Sequence, residues 1–178
     1  MLFGLLVFGA IVGGVIWFVA AYNNLVAAAH RALQAWGNLD ALLRQRHDEI
    51  PKLIEICERE LRYERPAFDR VLDARAEILG ARQIQDTAAL GRAERTLRAA
   101  LAAVRAKAAE NPALANDGAF GAVVQRLATL DAGIAERAAL FDDAVRQNNA
   151  AIARFPGIIV AILGGFRRRA PLDIDGGA

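Results

Sequence analysis

One stretch of this sequence sets an imidazole beside a carboxylate: Arg46-His47-Asp48-Glu49-Ile50-Pro51. The chemistry such a pair performs is proton transfer, with His47 as acid or base and Asp48 orienting it. On a helix, however, three consecutive residues fan out over roughly 200° and cannot converge unaided. Asp40, Arg44 and Asp48 follow one another at four-residue steps, so these charges can pair along one side of a helix. His47 falls in the gap between Leu43 and Ile50, on the inner stripe, where Glu64, Arg75 or Asn148 from neighbouring helices would face it. Read without chemistry, Asp40, Arg44, Arg46, His47, Asp48, Glu64, Arg75 and Asn148 form a polar layer that fixes helix register or meets a partner.

The parts that usually accompany catalysis are missing. The chain has no serine, so a serine nucleophile is excluded, and its single Cys57 permits neither an internal disulfide nor a cysteine zinc cage. Cys57 sits in an apolar stripe between glutamates that would not activate a thiol. Two histidines, His30 and His47, are too few and too far apart for a metal site, and no glycine-rich phosphate loop is present. The sequence therefore implies no cofactor and no metal. Its 22 basic and 20 acidic residues are interleaved at helical spacing, which argues against nucleic acid as a partner.

The elements that must position these residues are helices. Of 178 residues 39 are alanine and only three are threonine, a composition that favours helix and starves turns. Residues Leu2 to Ala21 are almost unbroken apolar sequence, and no charged side chain appears before Arg31. Twenty helical residues rise roughly 30 Å, the thickness of the hydrocarbon core of a bilayer. Trp17 and Tyr22 stand at the downstream end, where aromatic rings favour the headgroup boundary. A cleaved signal would carry a basic leading region and a shorter apolar core, although Val19-Ala20-Ala21 leaves a cleavage site open. Gly9 and Gly13 are spaced so that two such helices could pack closely, a route to self-association. Arg31, Arg44 and Arg46 downstream lean towards a cytoplasmic body on a single-pass cell-membrane protein.

Four amphipathic helices follow from the apolar spacing. The first continues from the span without a break and carries Trp36, Leu39, Leu43, Ile50, Ile54, Cys57 and Leu61, with a kink expected at Pro51. Arg65-Pro66 opens a second helix, with Phe68, Val71, Leu72, Ile78 and Leu79, ending between Gly80 and Ile84. Asp86 caps a third, with the stripe Leu90, Leu97, Leu101 and Val104, which Asn111-Pro112 ends. Asp117 caps the last, whose heptad-like, coiled-coil register runs from Phe120 through Val123, Leu127 and onward to Phe155. The expected fold is all-α: an N-terminal transmembrane helix continuing into an antiparallel up-and-down four-helix bundle. One uninterrupted helix over 66–110 would leave three. The divisions are an anchor at 1–21, the bundle at 22–155, an apolar and basic segment at 156–172, and a disordered tail at 173–178. In the third division Ile158 to Phe166 is too short to cross a bilayer. It either lies in the interface, with Arg167, Arg168 and Arg169 on lipid headgroups, or folds back over the bundle end.

The landmarks Tyr22-Asn23-Asn24-Leu25, Trp36, Asp40, the run Arg46 to Pro51 with Leu53, Glu64, and Ala74-Arg75-Ala76 come in a recognisable order. Glu110, Pro112, Leu114, Phe120, Asn148 or Asn149, Phe155-Pro156, the Ile158–Phe166 segment and Pro171 continue it to the tail. Together they resemble the LemA family over nearly the whole chain. Three places depart from its pattern: Phe141-Asp142 stands for Tyr-Asn, Asn111 for a tyrosine, and Leu172 for a closing aromatic. The resemblance implies a membrane-anchored four-helix bundle without an established enzymatic activity, related to LemA-like proteins that take part in building magnetosome membranes. The functional expectation is a non-enzymatic scaffold at a bacterial membrane, partnered by the lipid bilayer and by unidentified proteins. The alternative is a membrane-bound enzyme using His47 and Asp48.

Overall fold

A computed structural model describes residues 2–61, 65–172 and 174. Among the described residues every regular element is a helix: α1 (Leu2–Glu60), α2 (Arg65–Gln83), α3 (Thr87–Glu110), α4 (Pro112–Ala115), α5 (Gly118–Ala153) and α6 (Gly157–Gly164). The all-α expectation holds, with a single turn (α4) and a short helix (α6) added to the four long members. Glu64 lies outside the described residues, as does the expected tail apart from Ile174, which is buried.

Each boundary has a local cause. Helix α1 passes through Pro51 without ending, since one missing donor does not outweigh the packing of the stripe on either side. Helix α2 closes with Gln85 in the left-handed region at φ 54°, while the Asp86 N–H reaches the Ala81 carbonyl at 2.9 Å and the Gln85 N–H that of Arg82 at 3.2 Å. That turn excludes a single helix over 66–110. Asp86 then caps α3, its Oδ1 accepting from the Ala89 N–H at 2.9 Å. Asn111 serves twice, accepting from the Ala113 N–H at 2.9 Å to open α4 and donating through Nδ2 to the Glu60 carbonyl at 3.4 Å. Asp117 opens α5 by accepting from the Ala119 N–H at 2.7 Å.

The chain divides into two compact units. The larger comprises Gly37–Asp142 and Pro171–Ala178. Within it, α1 and α5 run antiparallel, because Leu42 meets Gly133 while Arg46 meets Asp131 and Glu49 meets Arg126. Helix α1 runs parallel to α3, through Arg46 with Glu94 and Glu60 with Asn111. With the tight α2–α3 turn, this is an up-down-up-down four-helix arrangement. Its core is a layered stripe of Leu39, Leu43, Ile50, Leu53, Leu90, Leu97, Leu127 and Ile134.

The smaller unit comprises Met1–Trp36 and Asp143–Ala170. Its packed centre joins Leu25, Ile152, Val160 and Ala161, flanked by Ala21 and Phe166. Phe155 stacks on Trp17 with ring centroids 5.3 Å apart, and Phe166 meets Tyr22 edge-on at 5.7 Å. The chain after α5 therefore doubles back beside the downstream end of the apolar stretch of α1. Gly157 permits this turn: a Cβ there would lie 2.1 Å from the Ala151 carbonyl oxygen. Gly157→Ala is expected to cost about 1–3 kcal/mol by forcing α6 off its seat. Gly121→Ala, whose Cβ meets nothing within 4 Å, is the matched control and should be neutral or slightly stabilising. Equal melting temperatures for the two variants would refute the close approach.

Candidate functional site

The stripe of α1 runs Leu39, Leu43, Ile50, Leu53, Cys57 in steps of three and four, with one vacancy between Leu43 and Ile50. Residue 46 or residue 47 can fill it. The structure places Arg46 there, only 4% exposed, and leaves His47 half-buried beside it. Two neighbouring helices supply the partners of Arg46. Its Nη2 donates to Glu94 Oε2 of α3 and its Nη1 to Asp131 Oδ1 of α5 at 3.2 Å. Asp131 Oδ2 also accepts from Arg105 of α3 at 3.4 Å. Two cations and two carboxylates thus form a neutral layer through the bundle. Glu94 is 1% exposed, and its second oxygen and the Nε atoms of Arg46 and Arg105 have no hydrogen-bond partner.

A second cluster lies on the rim. Asp40 accepts from Arg82 of α2 at 2.7 Å and from Arg44 at 2.9 Å. Burial pushes the Asp40 carboxyl up, but these two guanidinium groups outweigh it and hold it below the usual carboxylate range. Arg44 pairs with Asp40, one helical turn back, where the spacing alone also allowed Asp48; Asp48 is exposed. Burial lowers the His47 pKa, and the charges of Arg75 and Arg82 lower it further against the opposing pull of Asp48. Burial and the two nearby arginines thus disfavour the charged imidazole of His47. Glu49 accepts from Lys52 at 2.7 Å and faces Arg126 across the α1–α5 seam. Burial raises the Cys57 thiol to about 11, which leaves it protonated and unreactive at neutral pH. Among the described residues no group of three or more His, Cys, Asp or Glu side chains could hold a metal ion.

Asn148 belongs to the smaller unit and His47 to the larger. Asn148 fills a stripe position between Val145 and Ile152, 1% exposed, and donates to Asn149 Oδ1 at 3.4 Å. Its neighbour has the more explicit task. Asn149 donates to the Arg169 carbonyl at 2.8 Å and accepts from the Arg169 N–H at 2.9 Å, so its amide grips the backbone of the basic triplet. Arg167 and Arg168 project into solvent. In the larger unit Asp142 accepts from the Leu172 N–H at 2.6 Å and Leu172 is buried, giving two of the unusual positions a shared structural role. Helix α6 turns Val160 and Ala161 inward, while Ile158, Ile159, Ile162 and Leu163 stay exposed, Ile162 at 77%.

Sequence reasoning did not single out Glu94, Asp131, Arg82 or Arg105. A signal for Glu94 is nonetheless present: the stripe of α3 skips seven residues from Leu90 to Leu97, and Glu94 fills the vacancy, opposite in charge to Arg46.

Compared with protein families, residues 35–178 match the model of the LemA family, which takes in the whole charged layer and the returning C-terminal segment. A comparison with curated proteins finds no match.

Proposed function

The chain belongs to the LemA family, and from that footing we propose that it is a non-enzymatic, membrane-tethered scaffold whose rigid helical bundle is held at a lipid surface. One observation carries the reading. The N-terminal part of α1 is long and apolar enough to cross a bilayer, and none of that stretch is buried within the chain. Leu2, Phe3, Leu5, Phe8, Ile11 and Ile16 together present far more apolar surface than water tolerates on a monomer. A bilayer covers such a surface and satisfies the helix backbone internally.

Helix α6 supports the same reading. Its exposed isoleucines and Leu163 belong to the unit that contains the apolar stretch, and Arg167 and Arg168 follow directly. An apolar helix face followed by exposed guanidinium groups suits the bilayer interface, each arginine contributing roughly 1 kcal/mol on anionic lipid. One face of α6, Val160 and Ala161, is seated on the core, and the exposed opposite face is the part this proposal assigns to the interface. The scaffold reading also draws on the charged layer, whose members answer one another, and on the protonated, buried thiol of Cys57.

The test is flotation of the full-length chain with phosphatidylcholine–phosphatidylglycerol vesicles, followed by alkaline carbonate extraction. The expected result is a protein that floats with the lipid and resists extraction. Recovery of the intact chain in the aqueous fraction without detergent would end the tethering proposal.

A further inference from the structure

The smaller unit contains a cleft of about 450 Å³ between residues 21–31 of α1, the end of α5 and the turn into α6. That volume lies in the range of about 300–1,000 Å³ typical of small-molecule sites. Its chemistry is lopsided. Arg31 and Arg154 line it, with the amides of Asn24 and Gln147, and no carboxylate does. Neither guanidinium has an ion-pair or hydrogen-bond partner among the described residues. The remaining wall is apolar, including Leu25 and Phe155, and Phe155 rests on Trp17 within the apolar stretch.

We propose that this cleft binds the phosphate headgroup of an anionic glycerophospholipid, with Arg31 and Arg154 on the phosphate and the first methylenes of the acyl chains against Ala21 and Phe155. The proposal rests on the membrane-tethered reading, because the lipid must be able to enter from a bilayer beside the span. The order of residues along α1 fits such a ligand. Ala21 and Leu25 lie nearer the span, and Arg31 follows Leu25 by six residues, or roughly 9 Å of rise. Along α1 an amphiphile therefore meets apolar wall before Arg31, while Arg154 reaches the cleft from α5, next to Phe155. Guanidinium forks suit phosphate oxygens through paired N–H donors, and Asn24 offers an uncharged donor for a glycerol or sugar hydroxyl, while the Gln147 amide already donates to Asp143 at 2.7 Å. Two unpaired cations with no acid among them make a neutral or zwitterionic headgroup the poorer occupant.

The full-length chain, purified in a neutral detergent, is offered phosphatidylglycerol or phosphatidylcholine, and the lipid retained after washing is counted by native mass spectrometry. The expected result is one retained phosphatidylglycerol, preferred over phosphatidylcholine by roughly tenfold. The double variant R31Q/R154Q should lose that preference while R44Q keeps it, since Arg44 is exposed and paired to Asp40 outside the cleft. Equal retention of both lipids, or a preference surviving in the double variant, overturns the site. Displacement of the lipid by millimolar inorganic phosphate also overturns it, in favour of a free-anion site. Vesicle flotation of the same double variant separates the two proposals. A chain that floats but has lost lipid preference supports the cleft, and a wild-type chain that does not float defeats the tether itself.

Discussion

Replacing Glu94 by leucine is expected to lower the unfolding free energy by about 3–5 kcal/mol, because it strands the Arg46 guanidinium in the core. The side chains of Arg46 and Glu94 are 5% and 2% exposed, so water cannot restore what the carboxylate supplied. Asp131 remains as a partner for Nη1, but it is about a third exposed and already shared with Arg105. A loss of this size is a large fraction of the 5–15 kcal/mol that typically holds a domain together. Removing both charges tests whether the layer stabilises or specifies. In Arg46→Met with Glu94→Leu no buried charge of that pair is left unanswered, and the double variant should recover most of the loss, since burying the pair was itself costly. The coupling energy then comes from the double-mutant cycle, measured by urea unfolding followed by far-ultraviolet circular dichroism in neutral detergent. A single variant that loses less than 1 kcal/mol would mean that Arg46 finds water or another partner, and the buried layer as described would be wrong. If the double variant recovers stability but gives broadened near-ultraviolet or NMR signals, the charges serve to hold the helices in one register.

The same layer marks where the sequence was readable and where it was not. The long apolar helix, the breaks at Asp86, Asn111 and Asp117, and the end of α5 before Pro156 follow from local causes: a continuous apolar run, an oxygen placed to cap, a proline that cannot donate. Those causes act within a few residues, so spacing alone reveals them. The choice between Arg46 and His47 is of another kind. Steps of three and of four both continue the stripe from Leu43, and what decides is the carboxylate that α3 and α5 bring to each position. Glu94 and Asp131 are 48 and 85 residues away in sequence, and only the packed bundle shows them together. Arg82 went unseen for the same reason, since Asp40 has an acceptable partner in Arg44 one turn away. Asn148 is expected in the polar layer of His47, and Asn149 enters only as an alternative landmark of the family resemblance. Which of them is buried and which holds the Arg169 backbone depends on where the C-terminal segment returns.

The second large effect concerns the apolar stretch. Ile11→Arg with Ile16→Arg is expected to move the full-length chain from the membrane pellet to the soluble or aggregated fraction. A guanidinium near the centre of a spanning helix costs about 2.5–3.5 kcal/mol on insertion scales, so two approach the whole net gain of a single apolar span. Both residues are about 60% exposed in the structure and touch no core, so the substitutions should leave the fold of either unit intact. That makes the outcome specific: circular dichroism should keep its helical signal while flotation with vesicles is lost. Leucine at the same two positions should change nothing. If the double arginine variant floats as well as the wild type, the isoleucines do not lie in hydrocarbon. The exposed face of α6, with Arg167 and Arg168, would then have to carry attachment alone. Substituting aspartate at Ile162 and Leu163 in that background distinguishes the cases. Those residues are 77% and 71% exposed, and an attachment that depends on them will be lost on burying two carboxylates in the interface. An attachment that survives both sets of changes would place the contact with lipid somewhere other than these two apolar surfaces, and the tethering geometry proposed for this chain would fall.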